Sequence, residues 1–107
     1  MGKQTDWTLN ALNDIAVERN HQVDRGFDSA HDAQHVQGEI AVAAGLIAAG
    51  TAEGFELTSP GGSWMDDLAA KVAAHYGDDR RYRLVIAGAM IVAEIERLDR
   101  AERLAGN

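Results

Sequence analysis

The sequence predicts an all-α fold: one compact domain over residues 1–107, built of four helices, with the long C-terminal helix buried. Three observations carry this. Apolar residues recur at three- and four-residue spacing, and no stretch alternates apolar and polar as a half-buried strand does. Glycine, serine and aspartate fall at helix-length intervals, where starts and stops belong. The 107 residues, 46% hydrophobic with a single proline, suffice for one modest core and not for two.

The first helix is expected from about Thr8 to Asp24, with Leu9, Leu12, Ile15, Ala16 and Val23 on its apolar face. Asp6 or Thr8 is placed to cap it, Trp7 to staple its first turn, and Gly26 to end it in a left-handed turn. The second helix begins at Ser29 as cap, with Asp32 in the positive first turn, and runs to Gly50. Val36, Ile40, Ala43 and Ile47 form its core stripe. Gly38, Ala43, Ala44, Gly45 and Ala48 keep it thin, so a second helix can approach closely. Residues 51–63 read as a loop and a candidate lid, because TSPGGS holds the only proline and two glycines. A third helix follows Ser63, carries Asp66 and Asp67 in its first turn, and stops at Gly77. Asp78 or Asp79 caps the fourth, from about Arg80 to Leu104. Leu84, Val85, Ile86, Met90, Ile91, Val92 and Ile95 surround that helix with apolar groups, which predicts burial by several neighbours. One chain buries so apolar a helix with difficulty. A homodimer or larger assembly is therefore expected, with the small-residue faces of helices two and four at its interface.

The formal net charge of -7 repels nucleic acid, and the only local basic group, Arg80, Arg81 and Arg83, directly follows aspartates. No nucleic-acid partner is expected. The longest apolar run, Ile40 to Ala49, is too short to span a bilayer, and MGKQTDW has no apolar leader, so no membrane partner is expected either. With no cysteine there is no disulfide, no thiolate metal site and no cysteine nucleophile, and a cytoplasmic location in a host cell is expected. No GxSxG or glycine-rich phosphate loop supports serine or phosphoryl-transfer chemistry.

The titratable groups concentrate in RGFDSAHDAQHVQGEIA. On one continuous helix His31, His35 and Glu39 share a narrow arc, and imidazoles four residues apart can share a metal ion. A carboxylate from Asp14, Glu18, Glu94, Glu96 or Asp99 is available to complete such a shell; without a fixed third ligand, metal binding stays open. Arg19, His21 and Gln22 close the first helix. Arg19 suits either a structural pair with Asp32 or Glu39, or a bidentate clamp on an anion. Because the Gly26 turn folds helix two back on helix one, Arg19, Gln22, His31, Asp32, His35 and Glu39 are expected to form one polar pocket. There the first amides of helix two and two histidines face a small anionic, nucleotide-like ligand.

Two resemblances bear on function. Glu96-Arg-Leu-Asp99 is similar to the ExxD helix of all-α nucleotide pyrophosphohydrolases of the MazG type, which hold magnesium with a second, ExxE helix. Here the only ExxE, Glu53-Gly-Phe-Glu56, falls beside the loop, and helix two offers Glu39 alone. More extensively, ERNHQVDRGFDSAHDAQHVQGEIAVAA and RRYRLVIAGAMIVAEIERLDR resemble small phage and prophage proteins with the pattern ERxRQ, GW, EHDDxHxxGELAxAA and a closing AEIERLDR. Glu18, Arg19, Gln22, Gly26, His31, Asp32, His35, Gly38 and Glu39 match, whereas His21, Phe27 and Ala33 depart from it. A fainter likeness, in the helix and turn alone, is to the ryanodine-receptor repeat domain. The phage resemblance implies an accessory protein and brings no activity with it. The expectation is a non-catalytic protein of phage origin that binds a small anionic ligand or a host protein; the alternative is a metal-dependent MazG-like hydrolase.

Overall fold

A computed structural model describes residues 2–36, 38–49 and 79–106. They form α1 (Gly2–Asp24), α2 (Ser29–Asp32), α3 (Glu39–Ala49) and α4 (Arg80–Gly106), and no strand is present among them. The all-α reading holds. The expected loop over 51–63 and the helix after Ser63 lie outside the described residues.

The first helix begins earlier than expected, at Gly2 rather than Thr8. Nothing between the two positions breaks a helix, and Trp7 lies within α1, 74% exposed, so it staples nothing. The far end follows the sequence. Phe27 N–H donates to the Gln22 carbonyl at 2.9 Å and Gly26 N–H to Val23 at 3.0 Å, a Schellman stop. It requires a left-handed residue, and Gly26 has φ +102°.

The expected second helix is broken. Asp28, not Ser29, caps α2: its backbone is extended and its side chain accepts from His31 N–H at 3.0 Å. After one turn the chain tightens, with Gln34 N–H bonding His31 and His35 N–H bonding Asp32 three residues back. Gly38, at φ +83°, then redirects the backbone and α3 starts afresh at Glu39. Gly38 is thus a helix breaker rather than a close-packing glycine, and residues 31, 35 and 39 do not share one helical arc.

α4 is the hub against which α1, α2 and α3 all pack. Asp79 caps it, its carboxylate accepting from Tyr82 N–H at 2.9 Å. On one side Ile40, Ala43, Ala44, Leu46 and Ile47 of α3 meet Ile86, Ala87 and Met90. Alanine at 43, 44 and 87 lets the two backbones close, and Ile47 is fully buried. Each such aliphatic side chain contributes about 1.5–3 kcal/mol by leaving water. The small residues of α3 and α4 therefore meet within this chain. On another side Ile15 of α1 lies over Gly88, where a Cβ would fall 2.9 Å from its Cδ1. The third side is open: Leu84, Ile91, Ile95 and Leu98 are 44–52% exposed, so α4 is apolar all round without being buried all round.

Candidate functional site: a charge-paired junction of α1, α2 and α4

The Gly26 turn carries the chain back over the end of α1 and brings α2 beside Arg19. This guanidinium is 7% exposed and makes three bonds in three directions. Its Nη1 donates to the Phe27 carbonyl at 2.8 Å, Nη2 to Asp32 Oδ2 at 3.0 Å, and Nε to Glu96 Oε1 at 2.9 Å. One side chain so ties together α1, the turn, α2 and α4. Asp32 is buried, and its other oxygen lies 3.1 Å from His31 Nδ1. The His31 ring meets Phe27 edge-on and sits 4.8 Å, centroid to centroid, from the His35 ring. His35 Nδ1 in turn lies 3.0 Å from Glu39 Oε2. The cluster is thus a continuous line from Glu96 through Arg19, Asp32, His31 and His35 to Glu39.

Five of the six expected pocket residues are in this line, although the helix meant to align three of them is broken. His35 and Glu39 still pair, although they do not lie on one helix. Gln22 is not in the line. Its amide donates to Glu18 Oε2 and to the Ile86 carbonyl, both at 3.3 Å, in a second cluster. There the buried Glu18 carboxylate also accepts from Arg25 Nη2 at 2.9 Å and Tyr82 Oη at 3.0 Å. Next to it, a cleft of about 270 Å³ is lined by Asp14, Val17, Glu18, His21, Arg81, Tyr82 and Val85. An exposed Arg81–Asp14 pair stands in its wall.

A third pair, Arg97 with Glu94, adjoins the line. The hydrogen bond that Arg97 donates to Glu94 raises the Arg97 pKa; partial burial opposes this, and the charges of Glu94, Glu39 and Asp32 add to it. Arg97 therefore shares a field with two members of the line. Arg19 meets Asp32 and Glu96, and beside the line Arg25 meets Glu18 and Arg97 meets Glu94. Two amides of α2 are taken by its cap, His31 N–H by the Asp28 side chain and Asp32 N–H by the Asp28 carbonyl. The Asp28 carboxylate is thus the anion that His31 N–H meets.

In the neutral state, an imidazole that donates from Nδ1 to a carboxylate offers a lone pair at Nε2; protonated, it offers a donor there. His31 and His35, with side chains 30% and 20% exposed, each hold a carboxylate at Nδ1. Among the described residues, no three histidine, aspartate or glutamate side chains converge to hold a metal ion. In the ExxD sequence Glu96 accepts from Arg19 and Asp99 is exposed, while Glu53 and Glu56 lie outside the described residues. The pairing of Arg19 with Asp32 was legible in the sequence. Its bond to Glu96 was not, since 77 residues separate the two and only the fold of α1 on α4 joins them.

Compared with protein families, with curated proteins and with solved structures, the chain matches none.

Proposed function

We propose that the chain is a non-catalytic accessory protein, of the phage-linked kind its sequence resembles, and that it acts by binding a host protein. The observation that carries this is the state of Arg19. All three guanidinium nitrogens bond to protein acceptors, so the group best suited to clamp an anion is committed to bracing the fold. Glu96 is committed with it, which removes one of the two acids of the ExxD sequence from the role it has in the pyrophosphohydrolases. The accessible chemistry lies elsewhere. The first half of α1 carries Trp7, Leu9 and Leu12, 57–74% exposed, beside exposed Asp6. Leu9 and Leu12, three residues apart, share one side of the helix and Trp7 projects from the other, and a large aromatic and paired leucines are suitable anchors for a protein interface. With a net charge of -7, the partner that fits is an apolar patch with a basic rim.

The test compares three immobilised proteins in capture from host-cell extract: the wild type, a Trp7→Ala/Leu12→Ser variant and a His31→Ala/His35→Ala variant. The wild type and the histidine variant are expected to retain one basic protein that the α1 variant loses. A small-anion function gives the converse: no such protein, and nucleotide binding that the histidine variant alone loses. Release of pyrophosphate from nucleoside triphosphates with magnesium or manganese would favour the hydrolase alternative and contradict the proposal.

A further inference from the structure

We propose that the open side of α4 pairs with the same side of a second copy of this chain, antiparallel and about a two-fold axis through Ile91. The exposed residues Leu84, Ile91 and Leu98 are spaced by seven, and Ile95 lies between the last two. Seven residues are two helical turns to within about 20°, so these side chains form one row along the helix. The row ends in charges. Arg80 precedes Ile91 by eleven residues and Glu102 follows it by eleven, and both are exposed. Eleven residues are three turns to within about 20°, in the opposite sense, which returns both charges to the same row.

The order along the row is therefore Arg80, Leu84, Ile91, Leu98, Glu102, and it is symmetric about its centre in spacing and antisymmetric in charge. A two-fold axis through Ile91 sets Ile91 against itself, each Leu84 against the partner's Leu98, and each Arg80 against the partner's Glu102. The oppositely charged ends meet about 16 Å on either side of the axis, given a rise of 1.5 Å per residue. A parallel pairing would set Arg80 on Arg80 and Glu102 on Glu102, with like charges facing at both ends. Two-fold pairing of one self-complementary patch is the commonest way identical chains associate, and like charges placed opposite each other suppress the wrong arrangement. The α1 and α3 contacts leave this row clear. α3 meets α4 at Ile86, Ala87 and Met90, and α1 meets it at Arg81, Tyr82 and Gly88. This inference is independent of the host-protein proposal, which uses the far end of α1.

Sedimentation equilibrium of the full chain tests it. The wild type is expected at twice the 11.5 kDa chain mass. Ile91→Asp, which brings two carboxylates together on the axis, is expected at the chain mass itself with its helical circular dichroism intact. A wild type that stays at 11.5 kDa at a concentration of about 100 µM overturns the proposal, as does a dimer that survives Ile91→Asp. Orientation is tested separately, and without dependence on the folding of that variant. The chain has no cysteine, so an introduced thiol is unique. A mixture of Leu84→Cys and Leu98→Cys proteins is expected to oxidise to the mixed disulfide dimer. Leu84→Cys alone is expected to remain uncross-linked, and efficient formation of its own disulfide dimer overturns the antiparallel arrangement.

Discussion

Replacing Arg19 by alanine removes the one side chain that joins α1, the turn, α2 and α4. The size of the effect follows from which partners are left behind. Asp32, with its side chain 3% exposed, keeps His31 as its side-chain hydrogen-bond partner among the described residues and becomes a buried carboxylate without its paired cation. Breaking a buried ion pair by removing one partner costs about 3–5 kcal/mol. Glu96 adds little, because its side chain is 45% exposed and water replaces the arginine there. The Phe27 carbonyl loses one charge-assisted bond, so the upper half of that range is expected. Such a loss is a large fraction of the total stability of about 5–15 kcal/mol of a domain. Urea unfolding followed by circular dichroism measures it, and the slope should be unchanged while the midpoint falls by more than about 1 M. Two companions sharpen the test. Arg19→Lys should rescue poorly, since an ammonium cannot send planar donors to three fixed acceptors. Asp32→Asn should stabilise the Arg19→Ala protein by removing the orphaned charge. A loss below about 1 kcal/mol for Arg19→Ala, with additive effects at the two positions, would refute the reasoning.

Three further outcomes follow from the same structure. Ile47→Ala, at a fully buried contact of α3 with α4, should cost about 2–5 kcal/mol in the same unfolding assay. Gly38→Val should destabilise by at least about 1 kcal/mol although no atom lies within 4 Å of the added Cβ, because the backbone there is left-handed; Gly38→Asn should be tolerated better. Arg97 titrates above its ordinary range because of the Glu94 hydrogen bond, so the stability it contributes is present in full below that range and is lost only as pH rises through the raised value. The destabilisation caused by Glu94→Gln should therefore not decline between about pH 7 and pH 10, as measured by denaturant midpoints.

Local chemistry was legible in the sequence and long-range chemistry was not. The Gly26 stop, the Asp79 cap and the Arg19–Asp32 pair all lie within short stretches whose geometry is set by turn and cap rules. The expected second helix stops at Asp32 and restarts at Glu39, directly after Gly38, which reads equally as a packing glycine or a left-handed one until its φ is known. The extension of α1 to Gly2 shows the opposite error: a capping signal at Asp6 or Thr8 does not end a helix when nothing before it resists continuation. Five of the six junction residues were identified because they cluster around one turn. Glu96, Tyr82 and Glu94 came to the site from the far end of the chain through the packing of α1 and α2 on α4, and no local pattern announces that. Gln22 was assigned to the junction by proximity, but its amide turns to Glu18 and the Ile86 carbonyl, where a buried carboxylate and an accepting backbone oxygen lie on its own side of α1.

On the proposed reading the Arg19 junction braces the fold, and recognition falls to the surface. Calorimetric titration of a nucleoside triphosphate with magnesium into the wild-type protein tests it most directly. With Arg19 bonded to Phe27, Asp32 and Glu96, no saturable binding is expected up to about millimolar ligand, a free energy of roughly 4 kcal/mol. Saturable one-site binding that His35→Ala abolishes while the unfolding midpoint stays in place would contradict it.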